Sequence, residues 1–409
     1  IGSSFTQGNF CHRDGGATLY IPDMNSLPPT TSSYELNTRR RRGMDWWLFG
    51  ATLPLLAAGL TTMYSFTGNN SFAVHQFVWI IVAIAVFFAL SFVDVRFLRA
   101  TWVSVTAFSI SVISLGALFV LGTVTNGSRS WFDLGSFSFQ PSDFAKLALM
   151  IILAKYFSRR HIEIANIRHI LVSGTYAFIL FALVLANPDL GSAMIIFFVW
   201  LGMVMVSGIS KKHLFAMIAL GLVIFSFLWS FGFKEYQKDR IRNFINPLAD
   251  IHGAGYNAYQ STVAVGSGQL WGKGLGYGTQ SRLKFLPEYQ TDFIFAAFAE
   301  EWGFAGVFIL LALFGIIIWR IIHNTMRGSS NFEILFGAGV AVYFIVHIIV
   351  NMGMNMHLLP VTGTPLPFMS YGGTHILTEF MALGIVMAMR RYSRSAHKDA
   401  VKNEFIGPQ

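Results

Sequence analysis

Residues 286–303, LPEYQTDFIFAAFAEEWG, decide the reading of this 409-residue chain. A long polar stretch ends at Asp292, and a hydrophobic segment begins there. Glu300 and Glu301 lie inside that segment. Charge inside an apolar span is costly and seldom idle. If the segment is a helix, Glu300 sits roughly 12 Å beyond Asp292 and about 80° round from it. Glu301 then faces the opposite side, so at most one of the pair shares a face with Asp292. Both glutamates are expected to be buried structural carboxylates, paired with cations or backbone amides. Asp292 stands at the mouth of a membrane helix. It is either that helix's N-cap or a group that acts on a headgroup held at the interface.

Working outward, the whole chain has the composition of an all-α integral membrane protein. Apolar residues make up 54% and charged residues 12%, against about 25% charged in soluble domains. Ten hydrophobic segments can be marked, at about 46–64, 72–92, 101–122, 142–157, 169–186, 190–209, 213–232, 293–319, 333–354 and 367–389. Each approaches the roughly 20 residues a bilayer crossing needs. The single cysteine, Cys11, excludes an internal disulfide. The net charge of +9 does not point to nucleic acid. Its cations flank the apolar runs, and Lys and Arg placed that way set membrane orientation. With the N-terminus inside, the inner segments hold most of them, and the short outer loops hold only Arg129. Residues 1–43 read as a polar, disordered cytoplasmic tail, 44–392 as the membrane domain and 393–409 as a cytoplasmic C-terminal tail.

The exception is the outer loop 233–291, between the seventh and eighth spans. It carries Lys234, Lys238, Arg240, Arg242, Lys273, Arg282 and Lys284. A basic, glycine-rich, aromatic loop on the outside suggests an anionic ligand. The alternative is a solvated loop resting on anionic lipid headgroups. Arg129, in NGSRSWFDLG, offers a fork suited to phosphate or a surface cation beside Trp131. Asp143 and Lys146, in QPSDFAKL, are three apart and can pair on a helix. That pair either holds the bundle together or supplies a cation to a phosphate. The run GSGQLWGKGLGYG at 266–278 lacks the GK[ST] ending of a phosphate loop. Its glycines are expected to permit tight turns or close packing. NPDLGSA at 187–193 reads as a structural helix start, and PLPFMSYGG at 365–373 as a broken helix lining a cavity. No HExxH or CxxC occurs.

Together these motifs resemble the SEDS family (shape, elongation, division and sporulation) over about 44–392. They are NGSRSWFDLG, FQPSDFAKL, NPDLGSA, DIHGAGYNAYQS, GSGQLWGKGLGYGTQS, FLPEYQTDFIFAAFAEEWG and PLPFMSYGG. The GTQS element looks like the elongation branch, with the cell-division branch as the alternative. The resemblance implies a peptidoglycan glycosyltransferase that polymerises lipid II into glycan strands at the outer face of the bacterial cytoplasmic (inner) membrane. It implies a class B penicillin-binding protein as partner. The family's essential aspartate falls on Asp292 and its fourth-span lysine on Lys146. The acidic residue three before that lysine is usually Glu and is Asp143 here. On this reading Asp292 is the general base. Lys146, Arg129, Arg240, Arg242 and Lys273 are candidates for the pyrophosphate, with Asp143, Glu288 and Glu300 supporting. No cofactor is fixed by these residues, and a divalent cation (Mg or Mn) is left open. A lipid II flippase and a scaffold for the penicillin-binding protein are the rival readings.

Overall fold

The computed structural model describes residues 43–392 except 67–70, 126–127, 134, 136–137, 160–166, 233–234, 247–253, 284, 287 and 329. Both expected tails, and Lys234 and Lys284 of the loop 233–291, lie outside the described residues. The ten expected segments are all helical. They are α1 (Trp46–Phe66), α2 (Ser71–Phe92), α3 (Thr101–Leu121), α4 (Pro141–Ser158), α5 (Ile167–Ala186), α6 (Leu190–Val206) and α7 (Lys211–Phe227), followed, after three shorter helices, by α11 (Ile294–Thr325), α12 (Asn331–Asn355) and α13 (Gly373–Tyr392). Six of them, α1, α2, α3, α5, α11 and α12, are individually long and apolar enough to cross a bilayer. The chain is a multi-pass membrane protein. Helix α4 packs against α3, α5, α6, α12 and α13. Most of its side chains are buried against protein, which lets it carry Asp143 and Lys146 without exposing them to lipid.

Two features differ from the sequence reading. Between α3 and α4 lie three short antiparallel strands, β1 (Thr123–Thr125), β2 (Ser128–Asp133) and β3 (Ser138–Phe139). The long loop 233–291 is largely helical, with α8 (Glu235–Ile245), α9 (Ala254–Ser267) and α10 (Thr279–Arg282). Helix α8 escapes a hydropathy reading because its exposed face is charged. Its register instead supports ion pairs from Lys238 to Glu235 and from Arg242 to Asp239.

The glycine-rich run after α9 repairs a break in α11. Gly303 has φ 64° and ψ −167°, so α11 is two helices joined at that residue. A break leaves backbone groups without helical partners. The loop supplies them. Lys273 N–H donates to Glu300 O (3.0 Å) and Gly274 N–H to Glu301 O (3.1 Å), while Gln269 O and Leu270 O accept from Phe304 and Ala305. The two backbones touch, and a Cβ on Gly272 (φ +80°) would lie 2.0 Å from Glu301 O. Gly272→Ala should therefore destabilise the protein by about 2 kcal/mol or more, from left-handed backbone and clash together. Thermal melting in detergent checks this, and an unchanged midpoint would mean the splint is dispensable.

Where α1 starts and α11 and α13 finish, Asp45 gathers three helices. Arg320 donates to its Oδ2 (2.9 and 2.5 Å), as does Asn324 (2.8 Å), and Arg390 lies 2.8 Å away. Burial alone would raise the Asp45 carboxyl, but these partners hold it below the usual range.

Candidate functional site

Asp292 lies in the turn that enters α11, and its backbone is clamped. Asn351 and Asn355, one turn apart on α12, each donate a side-chain N–H to Asp292 O at 3.0 Å. Ala296 N–H donates back to Asn355 Oδ1 (3.3 Å). Upstream, Thr291 and Phe293 N–H both donate to Glu288 O. The PLPFMSYGG segment holds the other side of the turn. Ser370 Oγ donates to Thr291 O (2.7 Å) and Tyr371 N–H to Gln290 O (2.8 Å). That segment, expected as a broken helix, is not helical; its prolines and glycines keep it in turns, and α13 begins at Gly373. It is fixed in turn by Gln76 of α2, which donates to Ser370 O and accepts from Gly372 N–H.

The carboxylate itself is less occupied than the backbone. It lies against Gly363, where a Cβ would sit 3.3 Å from Oδ2. Gly363 has φ 75°, so only glycine suits both the turn and the space. Arg240 of α8 approaches from the loop and donates to Thr362 O (3.2 Å). Asp292 keeps a partial path to solvent but is surrounded by protein. That desolvation pushes its carboxyl up to about 7, Glu288 adds to the rise, Arg240 opposes it and Asp189 adds a little more. The folded state thus holds this proton more tightly than the unfolded chain. Stability from it is present at low pH and declines as pH rises from about 4 toward 7.

The second group is sealed. Lys146 Nζ is 3.0 Å from Asp143 Oδ1, and each side chain is only 2% exposed. Thr374 Oγ1 donates to Asp143 Oδ2 (3.3 Å). In this arrangement the ammonium faces Asp143 and not solvent.

The remaining candidates divide. Glu288 and Arg240 come together with Asp292. Lys273 does not join them; its ammonium is 2.7 Å from Glu300 Oε1. Glu300 also accepts from the Thr279 and Gln280 N–H groups, and Glu301 from Gly276 N–H (2.6 Å). These glutamates pair with a cation and amides, and they anchor the splint. Arg242 pairs with Glu235 and Asp239 on the exposed face of α8. Arg129 lies on β2, and its side chain is outside the described residues. Asp189 caps α6 by accepting from Ser192 N–H (2.9 Å), in keeping with a structural turn. Sequence reasoning passed over Asn351, Asn355, Gly363, His375 and Glu379. Two asparagines four apart in an apolar helix were a usable signal for the first pair.

Known proteins share this architecture and sequence. The family model described as cell cycle protein FtsW/RodA/SpoVE matches residues 43–395. The peptidoglycan glycosyltransferase MrdB of Escherichia coli K12 is 36% identical over 71% of this chain and 78% of its own. The stage V sporulation protein E of Bacillus subtilis is 35% identical over 87% of this chain and 100% of its own. The crystal structure of the rod shape determining protein RodA of Thermus thermophilus superposes with a TM-score of 0.65 at 27% identity, covering 86% of this chain and 98% of that one. A chain from a peptidoglycan synthase complex, described for its coordination of polymerization and crosslinking, gives 0.74 at 28% identity over 87% and 99%. By its motifs, its helices and its sequence, the chain belongs to the FtsW/RodA/SpoVE family, the SEDS proteins.

Proposed function

We propose that this protein is a peptidoglycan glycosyltransferase of the elongation branch, polymerising lipid II at the outer face of the bacterial cytoplasmic membrane with Asp292 as general base. The observation that carries the reading is a carboxylate on a rigidly clamped turn, brought to about 7 by its surroundings and flanked by Arg240. A base is most effective when its pKa lies near the working pH. The acceptor sugar's 4-hydroxyl attacks the anomeric carbon of the growing strand. Its proton passes to Asp292, the bond from that carbon to the pyrophosphate oxygen breaks, and undecaprenyl pyrophosphate leaves with inversion. Arg240 meets the charge that grows on the pyrophosphate. Arg129 and Arg242 belong to outer segments of the chain and add to the basic field that draws an anionic substrate. Lys273 and Lys146 would contact phosphate only by leaving Glu300 and Asp143, so their part is to hold the site's shape.

Among the described residues, no three His, Cys, Asp or Glu side chains are grouped to hold a metal ion. Asp292 and Glu288 offer two carboxylates, and Mg or Mn would complete its shell with pyrophosphate oxygens and water. The synthase-complex relative supports a class B penicillin-binding protein as partner, which would crosslink the strand. Incubating the purified protein with lipid II, with and without such a partner, and resolving products by size tests the reading. Glycan polymer is expected. Lipid II crossing vesicle membranes with no polymer under either condition would replace this reading with a flippase.

A further inference from the structure

The Asp143–Lys146 pair does not end the buried charge in this region. His375 of α13 sits between two carboxylates. Its Nδ1 is 3.5 Å from Asp143 Oδ1 and its Nε2 is 2.9 Å from Glu379 Oε1. The His375 side chain is 5% exposed and that of Glu379 is 0% exposed. The cluster therefore buries two carboxylates against one ammonium. With a neutral ring it would hold an uncompensated negative charge in a membrane interior, where such a charge is expensive. A neutral ring also presents hydrogen at one nitrogen only, which leaves one carboxylate facing a lone pair.

The other titratable groups around His375 do not supply the missing charge. On α12, His347 places Nδ1 2.9 Å from the Tyr343 carbonyl and its ring 5.3 Å from that of His375. A carbonyl only accepts, so Nδ1–H is the donor; Nε2 is buried with no hydrogen-bond partner among the described residues, and a second proton there would go unpaired, so this ring does not carry the charge. On α2, which packs along α13, the one titratable side chain is His75, which faces outward. On α11, Glu300 and Glu301 are turned to the splint. Near the far end of α13, Arg99 pairs with Glu333 and Arg96 with Asp94.

Glu379 also leads elsewhere. Its Oε2 accepts from Phe368 N–H (3.0 Å), at a residue with φ 62° in the PLPFMSYGG segment. That segment holds the Asp292 turn through Ser370 and Tyr371. A continuous path thus runs from Lys146 through Asp143, His375 and Glu379 to the turn that carries Asp292.

We propose that His375, as an imidazolium between Asp143 and Glu379, is a positioning residue that couples the buried Asp143–Lys146 pair to the Asp292 turn. Its functional half rests on the glycosyltransferase reading, whereas the charge state does not. The full chain, labelled with 15N-histidine, is compared with His375→Gln by NMR at a pH above the ordinary histidine range. The wild type should show a ring protonated at both nitrogens, and this signal should vanish in the variant. A neutral tautomer at His375 would overturn the proposal. In lipid II polymerisation, His375→Gln should lower kcat about tenfold or more with KM little changed. His375→Gln combined with Glu379→Gln removes one positive and one negative charge, so it should melt near the wild type and regain most of kcat. A double variant no faster and no more stable than the single one would refute the coupling. If the single variant does not fold, the double variant alone carries the test, since it must fold and be active. Wild type that makes no polymer would defeat the glycosyltransferase reading and with it the coupling to catalysis, while the spectrum would still decide the charge state.

Discussion

Asp292→Asn is expected to slow glycan polymerisation by about 100- to 10,000-fold, the usual worth of a positioned general base. The loss should fall on kcat and on kcat/KM equally, because the proton moves only in the transition state. The substitution is nearly isosteric, and the clamps from Asn351 and Asn355 hold the backbone carbonyl and leave the carboxylate alone. The turn should therefore keep its shape. Asp292→Glu is expected to recover only part of the rate, since the clamped backbone forces the longer side chain to misplace its oxygens by about 1 Å, a shift that can cost about 100-fold. The same environment that makes Asp292 a good base makes its charged form costly to bury. The Asn variant should therefore melt at a higher temperature than wild type above pH 7, where wild type carries that charge. Slower polymerisation with higher stability is the joint signature; a variant that is merely unstable would point to a structural Asp292.

Lys146→Met should have the largest effect on stability. It leaves Asp143 and Glu379 buried with His375 alone between them. Breaking a buried ion pair from one side typically costs about 3–5 kcal/mol, comparable with the whole stability of many domains. Little folded protein should survive extraction in detergent. Adding Asp143→Leu removes the stranded carboxylate and should restore most of the melting temperature, because an apolar replacement of a buried pair is often neutral. Restored melting without restored polymerisation would show that the pair also serves the reaction. Normal melting of the single variant would mean that water reaches Lys146.

The membrane spans were legible because a bilayer imposes a length and a composition that any window of sequence reveals. Asp292 was legible for the same reason, since a carboxylate at the mouth of a span stands out against apolar neighbours. The pairing of Glu300 and Glu301 with a cation and amides also followed from the cost of burying them. The partner of Glu300 did not follow. Lys273 looked like an anion-binding residue because its glycine-rich surroundings carry no sign of the break at Gly303 that they mend, and a break is visible only once two distant backbones meet. Helix α8 and the three strands were hidden by charge and by shortness. His375 and Glu379 stand four apart and share a helix face, but their meaning was missed because it depends on α4 arriving beside α13, which no local pattern shows.

The most direct test of the central claim is the pH dependence of lipid II polymerisation by the purified protein, measured as kcat/KM. The rate should climb with pH and level off, with an apparent pKa close to the value of about 7 at Asp292, because only the ionised carboxylate can take the acceptor's proton. A rate that stays flat across that range, or an acid limb that persists unchanged in Asp292→Asn, would contradict it.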